Sequence, residues 1–302
     1  MLSSTLHDEL IEHSAALATV TIVPETSGTL YIVATPIGNL DDISARAVRV
    51  LAEVDYILCE DTRHSGRLLT ALGIRARTLS MHEHNEEARA GEVIDGLRAG
   101  RDYALISDAG TPLINDPGYR LVNSAAAAGL RVSPVPGACA AVAALSVSGL
   151  PTDRFCFLGF LPARKAARRK RLEDLTTETG TLVFYETGRR LESMLLDCAA
   201  VLGACRSASV AREMTKVFET VYRDTLADLA RIVGDDPDAT RGECVVIVEG
   251  GVGEVDSGPQ VEKALRVLLD ELPASAAART VARLYPVERR AAYALALKLS
   301  RD

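Results

Sequence analysis

One loop constrains the fold of this chain more than any other segment. Residues 107–118 read Ser-Asp-Ala-Gly-Thr-Pro-Leu-Ile-Asn-Asp-Pro-Gly, between the apolar run Tyr103–Ile106 and a helical pattern. Gly110 allows a close approach to the backbone, and Pro112 and Pro117 reduce the entropy that is lost when the loop becomes ordered. Open α/β sheets bind their ligands at strand–loop–helix junctions of this kind.

Two further loops have the same character. Thr35-Pro36-Ile37-Gly38-Asn39-Leu40 and Pro134-Val135-Pro136-Gly137-Ala138-Cys139-Ala140 each accompany an apolar, strand-like run. In any one loop, glycine and proline are most simply turn residues. Three such junctions in one region of the chain favour a single ligand-binding cleft.

Strands and helices alternate from Thr29 onward, which is typical of a mostly parallel sheet with helices on its faces. The predicted strands are Leu30–Ala34, Tyr56–Cys59, Tyr103–Ser107 and Arg131–Val135, and the predicted helices are Ile43–Glu53, Ser65–Leu72, Glu86–Arg98 and Tyr119–Ala128. We therefore predict an α/β protein with an N-terminal domain at residues 29–150, preceded by an extension at residues 1–28, with a boundary near Gly149–Thr152.

The second half of the chain predicts a mixed sheet. Its strand-like runs are Phe155–Leu158, Thr181–Tyr185, Ser207–Ala211, Phe218–Tyr222 and Cys244–Val248. Two of these runs lie close together in the sequence, which indicates a hairpin. We assign residues 151–250 to this C-terminal α/β domain. Residues 258–302, with helical patterns at 261–269, 275–284 and 286–299, form a helical tail that is either a separate module or a cap on that domain.

Bulk properties exclude several classes of protein. The net charge is −7, so the chain is not coated with positive charge, although a local basic patch remains compatible with this value. The six cysteines are scattered without a Cys-x-x-Cys pair, as expected of small buried apolar residues in a reducing compartment. No apolar run has the length of a membrane span, and the first residues do not resemble a secretory leader. We expect a soluble cytoplasmic protein without a metal site.

A basic cluster is the main indication of a nucleic-acid partner. Six of the eight residues at 164–171 are basic in a chain that is acidic overall: Arg164, Lys165, Arg168, Arg169, Lys170 and Arg171. An exposed helix normally mixes charges of both signs, so the cluster favours contact with phosphates over a merely solvated face. Arg189 and Arg190 extend the same surface if they lie nearby. Aromatic residues make up 4% of the chain and tryptophan is absent, which argues against a broad base-stacking platform.

Longer motifs carry a family resemblance. Thr35–Leu40 is followed by Asp41-Asp42-Ile43-Ser44, and Glu60-Asp61-Thr62-Arg63, His82-Glu83-His84-Asn85-Glu86 and the Ser-Asp-Ala-Gly-Thr-Pro loop come next in order. The series continues through Pro136-Gly137, Phe157-Leu158-Gly159-Phe160-Leu161-Pro162, Phe184-Tyr185-Glu186 and Ala211-Arg212-Glu213-Met214-Thr215-Lys216. These motifs, from about Leu30 to about Glu249, resemble the ribosomal RNA small-subunit methyltransferase I family.

The resemblance implies a fold, a cofactor and a reaction. It implies the tetrapyrrole methylase fold, S-adenosylmethionine as methyl donor, and methylation of a ribose 2′-hydroxyl of a cytidine in small-subunit ribosomal RNA. The fold family also implies a homodimer. Two alternatives stay open at this point: a methylase of small molecules such as tetrapyrroles, and a ribosome assembly factor that holds the cofactor without turnover.

The resemblance also assigns cofactor-binding residues. The sequence lacks Gly-x-Gly-x-x-Gly after a strand and the P-loop motif, so irregular backbone must hold the cofactor. The residues implied are Pro36, Ile37, Gly38, Asn39, Leu40, Asp108, Ala109, Gly110, Gly137, Ala138, Cys139 and Ala140, with Phe157, Leu158, Gly159, Tyr185, Ala211, Arg212 and Glu213 from the second domain. For Phe157 and Tyr185, core packing is a competing interpretation.

Methyl transfer needs the acceptor oxygen to be positioned behind the methyl carbon. Because a ribose hydroxyl is a weak acid, a base or a nearby cation helps its proton to leave. The candidates are Asp61 and Arg63 in one loop and Glu213 and Lys216 in another, with Asp116 as a third possibility. The sequence alone does not choose among them.

The segment His82–Glu86 has two interpretations. It is a family-specific loop near the RNA or the cofactor, or it is a helix N-terminus in which Asn85 is the cap and Glu86 lies in the first turn. The spacing of His82 and His84 would suit a metal, but the sequence offers no third ligand cluster.

Overall fold

The computed structural model describes residues 27–82, 85–251, 259–285 and 287–300. The predicted extension at residues 1–28 lies almost wholly outside these ranges. The chain divides into two compact units, one ending at Cys139 and the other beginning at Ala140. Among the described residues, every helix is too short or too polar to cross a bilayer.

The first unit is built on a parallel five-stranded sheet. Its strands are β1 (Thr29–Val33), β2 (Tyr56–Cys59), β3 (Thr78–Ser80), β4 (Tyr103–Leu105) and β5 (Arg131–Val135), in the order β3-β2-β4-β1-β5. The helices between them are α1 (Ala45–Glu53), α2 (Thr62–Ala71), α3 (Glu86–Arg98) and α4 (Tyr119–Ala127). This architecture confirms the predicted parallel sheet.

Alternation along the strands explains why both faces of this sheet are covered. In β1, Leu30 belongs to one buried cluster and Val33 to another, and in β2 Leu58 and Ile57 divide in the same way. Successive side chains of a strand point to opposite faces, so the two clusters lie on opposite faces of the sheet. Strands buried on both faces appear as continuous apolar runs, and this made them visible in the sequence.

The strand order positions the site. β4, β1 and β5 are neighbours, and because they are parallel, their carboxyl ends lie at one edge of the sheet. The loops that follow these three strands are the three Gly- and Pro-rich segments singled out in the sequence.

The second unit contains a mixed sheet in the order β6-β7-β10-β8-β9. Its strands are β6 (Phe155–Phe160), β7 (Thr181–Thr187), β8 (Ser207–Arg212), β9 (Thr220–Thr225) and β10 (Glu243–Val248). β6 and β7 are parallel and the other pairs are antiparallel, with β8 and β9 forming the predicted hairpin. β9 begins later than predicted because Val217 and Phe218 lie exposed in the connecting loop.

The boundary between the units also falls earlier than predicted. Helix α5 (Ala140–Ser148) packs against strands β7, β8, β9 and β10 and therefore belongs to the second unit. A hydrogen bond from the same unit also holds this helix: Nε of Arg223, on β9, donates to the carbonyl oxygen of Val147 at 2.9 Å. The division lies at Cys139–Ala140 rather than near Gly149–Thr152.

A buried ion-pair cluster joins two helices of the second unit. Helices α6 (Lys165–Glu173), α7 (Gly188–Leu202) and α8 (Leu226–Asp235) belong to this unit, and its core includes Phe184 and Leu191. Asp197 on α7 is 1% exposed, and its carboxylate accepts hydrogen bonds from Nε of Arg168 at 2.9 Å and Nε of Arg169 at 2.6 Å. Burial raises the pKa of Asp197, but the two guanidinium groups outweigh this and hold it below its ordinary value.

The C-terminal helices have a hydrophobic core of their own. They are α9 (Pro259–Leu269), α10 (Ala274–Leu284) and α11 (Arg289–Leu299). The three helices enclose Leu265, Ala277, Val281, Ala292 and Ala296, all of them buried. The small alanine side chains allow α10 and α11 to pack closely. The tail therefore has a core of its own within the second unit, and both interpretations of it stay predictions.

We predict that Arg168→Met destabilises the protein far more than Arg171→Met on the same helix. Removing Arg168 leaves the buried Asp197 with only one of its two arginines, which costs about 3 kcal/mol of unfolding free energy. Arg171 forms an exposed pair with Asp174 at 3.8 Å, and such pairs contribute less than about 1 kcal/mol. Denaturant unfolding measures both values. Equal effects would show that the buried pair has no special role.

Candidate functional site

The first two loops of the first unit are joined by a pair of backbone hydrogen bonds. The amide of Thr35 donates to the carbonyl oxygen of Gly110 at 2.8 Å. In return, the amide of Gly110 donates to the carbonyl oxygen of Thr35 at 3.1 Å. The hydroxyl groups of two neighbouring residues reinforce this contact. Oγ1 of Thr35 donates to the carbonyl oxygen of Ser107 at 3.2 Å, and Oγ of Ser107 donates to that of Gly110 at 3.1 Å.

The third loop contacts both of the others. Oγ1 of Thr111 donates to the carbonyl oxygen of Ala138 at 3.0 Å. A Cβ atom added at Gly137 would lie 2.9 Å from Cβ of Ala34, so only glycine fits there without displacing its neighbours. The three loops are therefore in contact with one another, and the single ligand site that they were expected to form stays a prediction.

The backbone of the central loop has an unusual conformation. Gly110 has a φ of +85°, and a Cβ there would lie 3.3 Å from Cγ2 of Ile37. Leu113 and Asn115 adopt φ values of +72° and +70°, a region that side chains other than glycine rarely occupy. Such strained residues persist only where the surrounding structure holds them and are concentrated at functional sites. The hydroxyl bonds of Thr35, Ser107 and Thr111 supply that restraint.

Most of the predicted cofactor-binding residues of these loops are accessible, whereas Gly110 is buried. Gly38, Asn39, Leu40, Ala109 and Gly137 are exposed, and Pro36, Ile37, Asp108, Ala138, Cys139 and Ala140 are half-buried. Their backbone groups can therefore contact a ligand. One side-chain atom points to what that ligand carries: Oδ1 of Asp108 is buried and has no hydrogen-bond partner within the described part of the chain. A ligand with a cationic or N–H donor group would satisfy this carboxylate oxygen.

Asp116 lies in the same loop and has a perturbed acidity. Burial raises its pKa to about 6, and the carboxylates of Glu60 and Asp108 contribute to the rise, while a hydrogen bond with Ser107 opposes it. Asp116 is the third possibility that the sequence offers beside the two charged loops. A base works best with a pKa near the working pH, and the raised pKa of Asp116 lies closer to neutrality than that of an ordinary carboxyl.

Asp61 and Arg63 are found at a helix end. Asp61 is the N-cap of α2, where its Oδ1 accepts the amide hydrogen bonds of Arg63 at 2.7 Å and His64 at 3.4 Å. These two bonds lower the pKa of the exposed Asp61 carboxyl. A capping function therefore accounts for Asp61. Its role and that of Arg63 in catalysis stay predictions.

Two predicted residues of the second unit, Tyr185 and Ala211, lie in one row across its sheet. Phe160 pairs in register with Tyr185, Tyr185 with Val245, and Val245 with Ala211. The rings of Phe157 and Tyr185 pack edge to face with their centroids 4.9 Å apart. Both rings are half-buried and lie outside the main core cluster, whereas Leu158 packs against it. Core packing therefore accounts for Leu158 better than for the two rings.

The adjacent residues of β6 and β8 differ in accessibility. Gly159 is buried, has a φ of +61° and marks a register shift between β6 and β7. Ala211 is fully buried and Arg212 is 8% exposed. Nε of Arg212 has no hydrogen-bond partner among the described residues.

Glu213 and Lys216 form a charged cluster after β8. Nζ of Lys216 donates to Oε1 of Glu213 at 2.8 Å and to Oε2 of Glu243 at 2.9 Å. Partial burial raises the pKa of Glu213, but Lys216 and the amide of Glu243 outweigh it and lower that pKa overall. A Cβ at Gly242 would lie 2.3 Å from Oε1 of Glu213, so glycine is required beneath this carboxylate. Glu213 is thus held as a paired anion.

The segment His82–Glu86 is only partly described, and His84, with its proposed spacing to His82, lies outside the described residues. Asn85 precedes α3, but its side chain does not cap the helix as predicted. Its Oδ1 instead accepts the amide hydrogen bond of His82 at 2.8 Å, and its Nδ2 donates to the carbonyl oxygen of Ser80 at 3.2 Å. Glu86 is buried and accepts the amide hydrogen bond of Arg120 at 2.9 Å. These contacts fix the loop.

The basic cluster divides into two groups. The prediction that Arg168 contacts phosphate is wrong, because this side chain is 4% exposed and paired with Asp197. Arg169 is half-buried against the same carboxylate. The remaining four cations are exposed: Arg164, Lys165, Lys170 and Arg171. Arg190 does not extend this surface freely either, since its Nη2 donates to the carbonyl oxygen of Leu161 at 2.6 Å.

The chain matches two family models. Residues 29–230 match the family model described as Tetrapyrrole (Corrin/Porphyrin) Methylases, and residues 255–300 match the model described as RsmI C-terminal HTH domain.

Curated relatives are similar over nearly the whole chain. A protein of Pseudomonas aeruginosa named Ribosomal RNA small subunit methyltransferase I is 51% identical over 276 residues, covering 90% of this chain and 98% of its own length. Proteins of the same name from Haemophilus influenzae and Escherichia coli O157:H7 are 49% and 47% identical, each over 90% of this chain and over 98% and 96% of their own lengths.

Solved structures share the fold. A cobalt precorrin-4 methyltransferase superposes with a TM-score of 0.55 at 19% identity, covering 76% of this chain and 98% of the other. A diphthine synthase superposes with a TM-score of 0.54 at 15% identity, covering 74% of this chain and 90% of the other. At this level of identity the likeness concerns the fold alone.

We predict that Asp116→Asn stabilises the protein at neutral pH. In the folded chain burial raises the pKa of Asp116 from its ordinary value of 3.8 to about 6, so folding favours the protonated carboxyl. Stability is therefore lost as the pH rises from about 4 through 6, and removing the charge restores it. Because the side chain is partly exposed, solvent screens part of this effect, and we expect a gain of about 1–2 kcal/mol at pH 7.5 and little change near pH 4.

Asp61→Asn is a control of opposite sign. The pKa of Asp61 is lowered in the folded state, so its charge stabilises the fold above its ordinary pKa and loses that effect as the pH falls. This variant should destabilise the protein at both pH 7.5 and pH 4, and the loss should disappear only as the pH falls below the ordinary pKa of the carboxyl. Thermal unfolding across this range measures both variants, and a loss of stability in Asp116→Asn at every pH would contradict the account.

Proposed function

This chain belongs to the ribosomal RNA small subunit methyltransferase I family, whose members are S-adenosylmethionine-dependent methyltransferases with the tetrapyrrole methylase fold, and on that premise we propose that it methylates the ribose 2′-hydroxyl of a cytidine in small-subunit ribosomal RNA. The observation that carries the proposal is the junction of three loops around the unpartnered Oδ1 of Asp108. The choice of a cytidine and of its 2′-oxygen rests on the family resemblance.

The loop junction suits S-adenosylmethionine. The cofactor carries an ammonium group and a sulfonium, and the buried carboxylate oxygen of Asp108 is an acceptor for such a cation. Gly110 and Gly137 keep the loops close together, because a Cβ at either position would press on Ile37 or Ala34. The other cofactor-binding residues of the sequence analysis remain part of this proposal. When bound, the cofactor supplies an electrophilic methyl group.

The residues of the site then have to position and deprotonate the acceptor. Asp116 is our preferred proton acceptor, since its pKa of about 6 leaves it ionised yet basic at neutral pH. Asp61 is a helix cap and Glu213 is paired with Lys216, and both have a lowered pKa, so neither is as well suited. Arg63 and Lys216 stay candidates for a cation that lowers the pKa of the reacting hydroxyl.

The exposed cations of α6 support an RNA substrate. Arg164, Lys165 and Lys170 form no ion pair with the described residues, and their charge stands out in a chain of net charge −7. Phosphate contacts provide most of the affinity for RNA in the absence of base-specific contacts. The alternative of a small-molecule methylase rests on the shared fold alone, and a ribosomal substrate would place the reaction in the cytoplasm.

We also propose a homodimer. Val217 and Phe218 are 91% and 71% exposed in the loop between β8 and β9. Adjacent exposed apolar side chains of this kind are typical of an interface. Sedimentation of the wild-type chain at micromolar concentration should show a dimer, and a monomer would contradict this proposal.

The function is tested by transfer of labelled methyl groups. The substrates are unmethylated small ribosomal subunits and their protein-free RNA, and nuclease mapping locates the label. We expect a single labelled ribose on a cytidine. Label in a tetrapyrrole alone would contradict the proposal, as would cofactor binding without transfer to either substrate.

Gly110→Ala should weaken the binding of S-adenosylmethionine at least tenfold. The added Cβ presses on Ile37 at 3.3 Å and disturbs the contact between the loops. Gly73→Ala is the matched control, because Gly73 has a similar φ of +71° but open space around its Cβ. Both variants bear the cost of a left-handed alanine, about 1 kcal/mol. Calorimetry should show normal cofactor affinity in the control, and equal affinities in the two variants would remove the central loop from the site.

Replacing Lys165 and Lys170 with alanine should weaken RNA binding and leave cofactor binding unchanged. Losing two phosphate contacts makes the dependence of the binding constant on salt less steep by about 1.5 logarithmic units per decade. Arg49→Ala with Arg75→Ala removes two exposed cations from the first unit and is the control. If both pairs reduce the affinity equally, α6 has no specific role.

A further inference from the structure

The C-terminal module carries a second basic surface that the proposed methyl-transfer site does not use. Helices α10 and α11 are joined by residues 285–288 and pack on each other through their alanines. Residues 274–300 contain one acidic residue and five basic ones: Glu288, and Arg279, Arg283, Arg289, Arg290 and Lys298. This short segment therefore has a formal charge of +4 in a chain whose net charge is −7.

These five cations are available to a partner. All five residues are exposed. None of them takes part in the ion pair of the described part of the module. That ion pair lies on α9, where Nη2 of Arg266 is 2.8 Å from Oε1 of Glu262. An exposed helix pair normally mixes charges of both signs. A face with cations but almost no carboxylates indicates a partner that supplies the negative charge.

A cavity at the start of α11 gives this face a defined shape. It has a volume of about 410 Å³ and is lined by Ser275, Ala278, Arg289, Arg290 and Tyr293. The small residues of α10 form one wall, and two guanidinium groups and a phenol ring form the other. Guanidinium groups bind phosphate oxygens with two parallel hydrogen bonds, and an exposed tyrosine ring stacks on an unpaired base. Tyr293 is 40% exposed.

The position of these groups fits a known mode of nucleic-acid binding. In a helix-turn-helix pair, residues at the N-terminal end of the second helix make the main contacts with nucleic acid. Here Arg289, Arg290 and Tyr293 occupy the first turns of α11, and Ser275 lies in the first turn of α10. Arg279 and Arg283 follow Ser275 at intervals of four residues and so continue one stripe of the helix.

We propose that the α10–α11 face, formed by Ser275, Arg279, Arg283, Arg289, Arg290 and Tyr293, docks on the phosphate backbone of folded small-subunit ribosomal RNA. This inference rests on the proposed function, because it takes the substrate RNA as the partner. The face adds affinity and orients the RNA, while the three loops of the first unit carry the chemistry. A protein partner fits less well, because the core of a protein interface is depleted of charged residues, and the exposed Leu284 and Leu297 are separate apolar positions on different helices.

The test uses the full chain with Arg289→Ala and Arg290→Ala together. Binding to protein-free small-subunit ribosomal RNA is measured between 50 and 200 mM salt. We expect roughly tenfold weaker binding near physiological salt and a salt dependence less steep by about 1.5 logarithmic units per decade, since two phosphate contacts are lost. Tyr293→Ala should weaken binding about tenfold through lost stacking, and Tyr293→Phe should restore it.

The matched control is Lys263→Ala with Arg266→Ala, which removes two exposed cations from α9 of the same module. Circular dichroism and thermal unfolding establish that each variant is folded. Equal losses in the control and in the test variant would overturn the proposal, as would an unchanged salt dependence in the test variant. Normal binding to RNA with lost binding to intact subunits would overturn it in favour of a protein partner. Equally tight binding to duplex DNA would overturn the specific choice of RNA.

The same assays separate this inference from the proposed function. If the wild-type chain methylates small subunits and the Arg289–Arg290 variant has an unchanged KM for them, the docking face is wrong and the function stands. If the wild-type chain methylates neither subunits nor RNA but the variant loses RNA affinity as expected, the function is wrong and the docking face stands.

Discussion

The two backbone hydrogen bonds between Thr35 and Gly110 are the contact on which the proposed site depends. They join the loops after β1 and β4, and the hydroxyl of Thr111 then ties the loop after β5 to the same point. Because both the amide and the carbonyl group of Gly110 take part in these bonds, the backbone of this glycine has little conformational freedom. The site is consequently held by main-chain geometry, which explains why it lacks the usual nucleotide-binding motifs and needs glycine at Gly110 and Gly137.

Acidic and basic side chains are concentrated in different parts of the chain. Acidic groups surround the loop junction, where Oδ1 of Asp108 has no hydrogen-bond partner among the described residues and Asp116 has a raised pKa. Negative charge in this region attracts a cationic cofactor, and it raises the pKa of a carboxylate that is to accept a proton. Cations are concentrated on α6 and on the C-terminal module, where RNA phosphates would bind. The net charge of −7 conceals this division, so the overall composition says little about the partner.

Patterns that depend on neighbouring residues were predicted well, and those that depend on tertiary contacts were not. The bounds of β2, β5 and α3 were predicted to the residue, because apolar runs and a polar helix start mark them. Helix α5 was missed because Ala140–Leu145 is apolar on every side and has no amphipathic period. β3 has three residues, too few for a pattern. Likewise, Arg168 looks like its basic neighbours in the sequence, and only the fold buries it against Asp197.

The central claim is that the three loops at the carboxyl edge of the first sheet hold S-adenosylmethionine. A crystal structure with the bound cofactor tests it most directly. The account predicts a cationic or N–H donor group of the cofactor within hydrogen-bond distance of Oδ1 of Asp108, and the cofactor in contact with the backbone at Gly110 and Gly137. A cofactor bound elsewhere, with Oδ1 of Asp108 still unpartnered, would contradict the account.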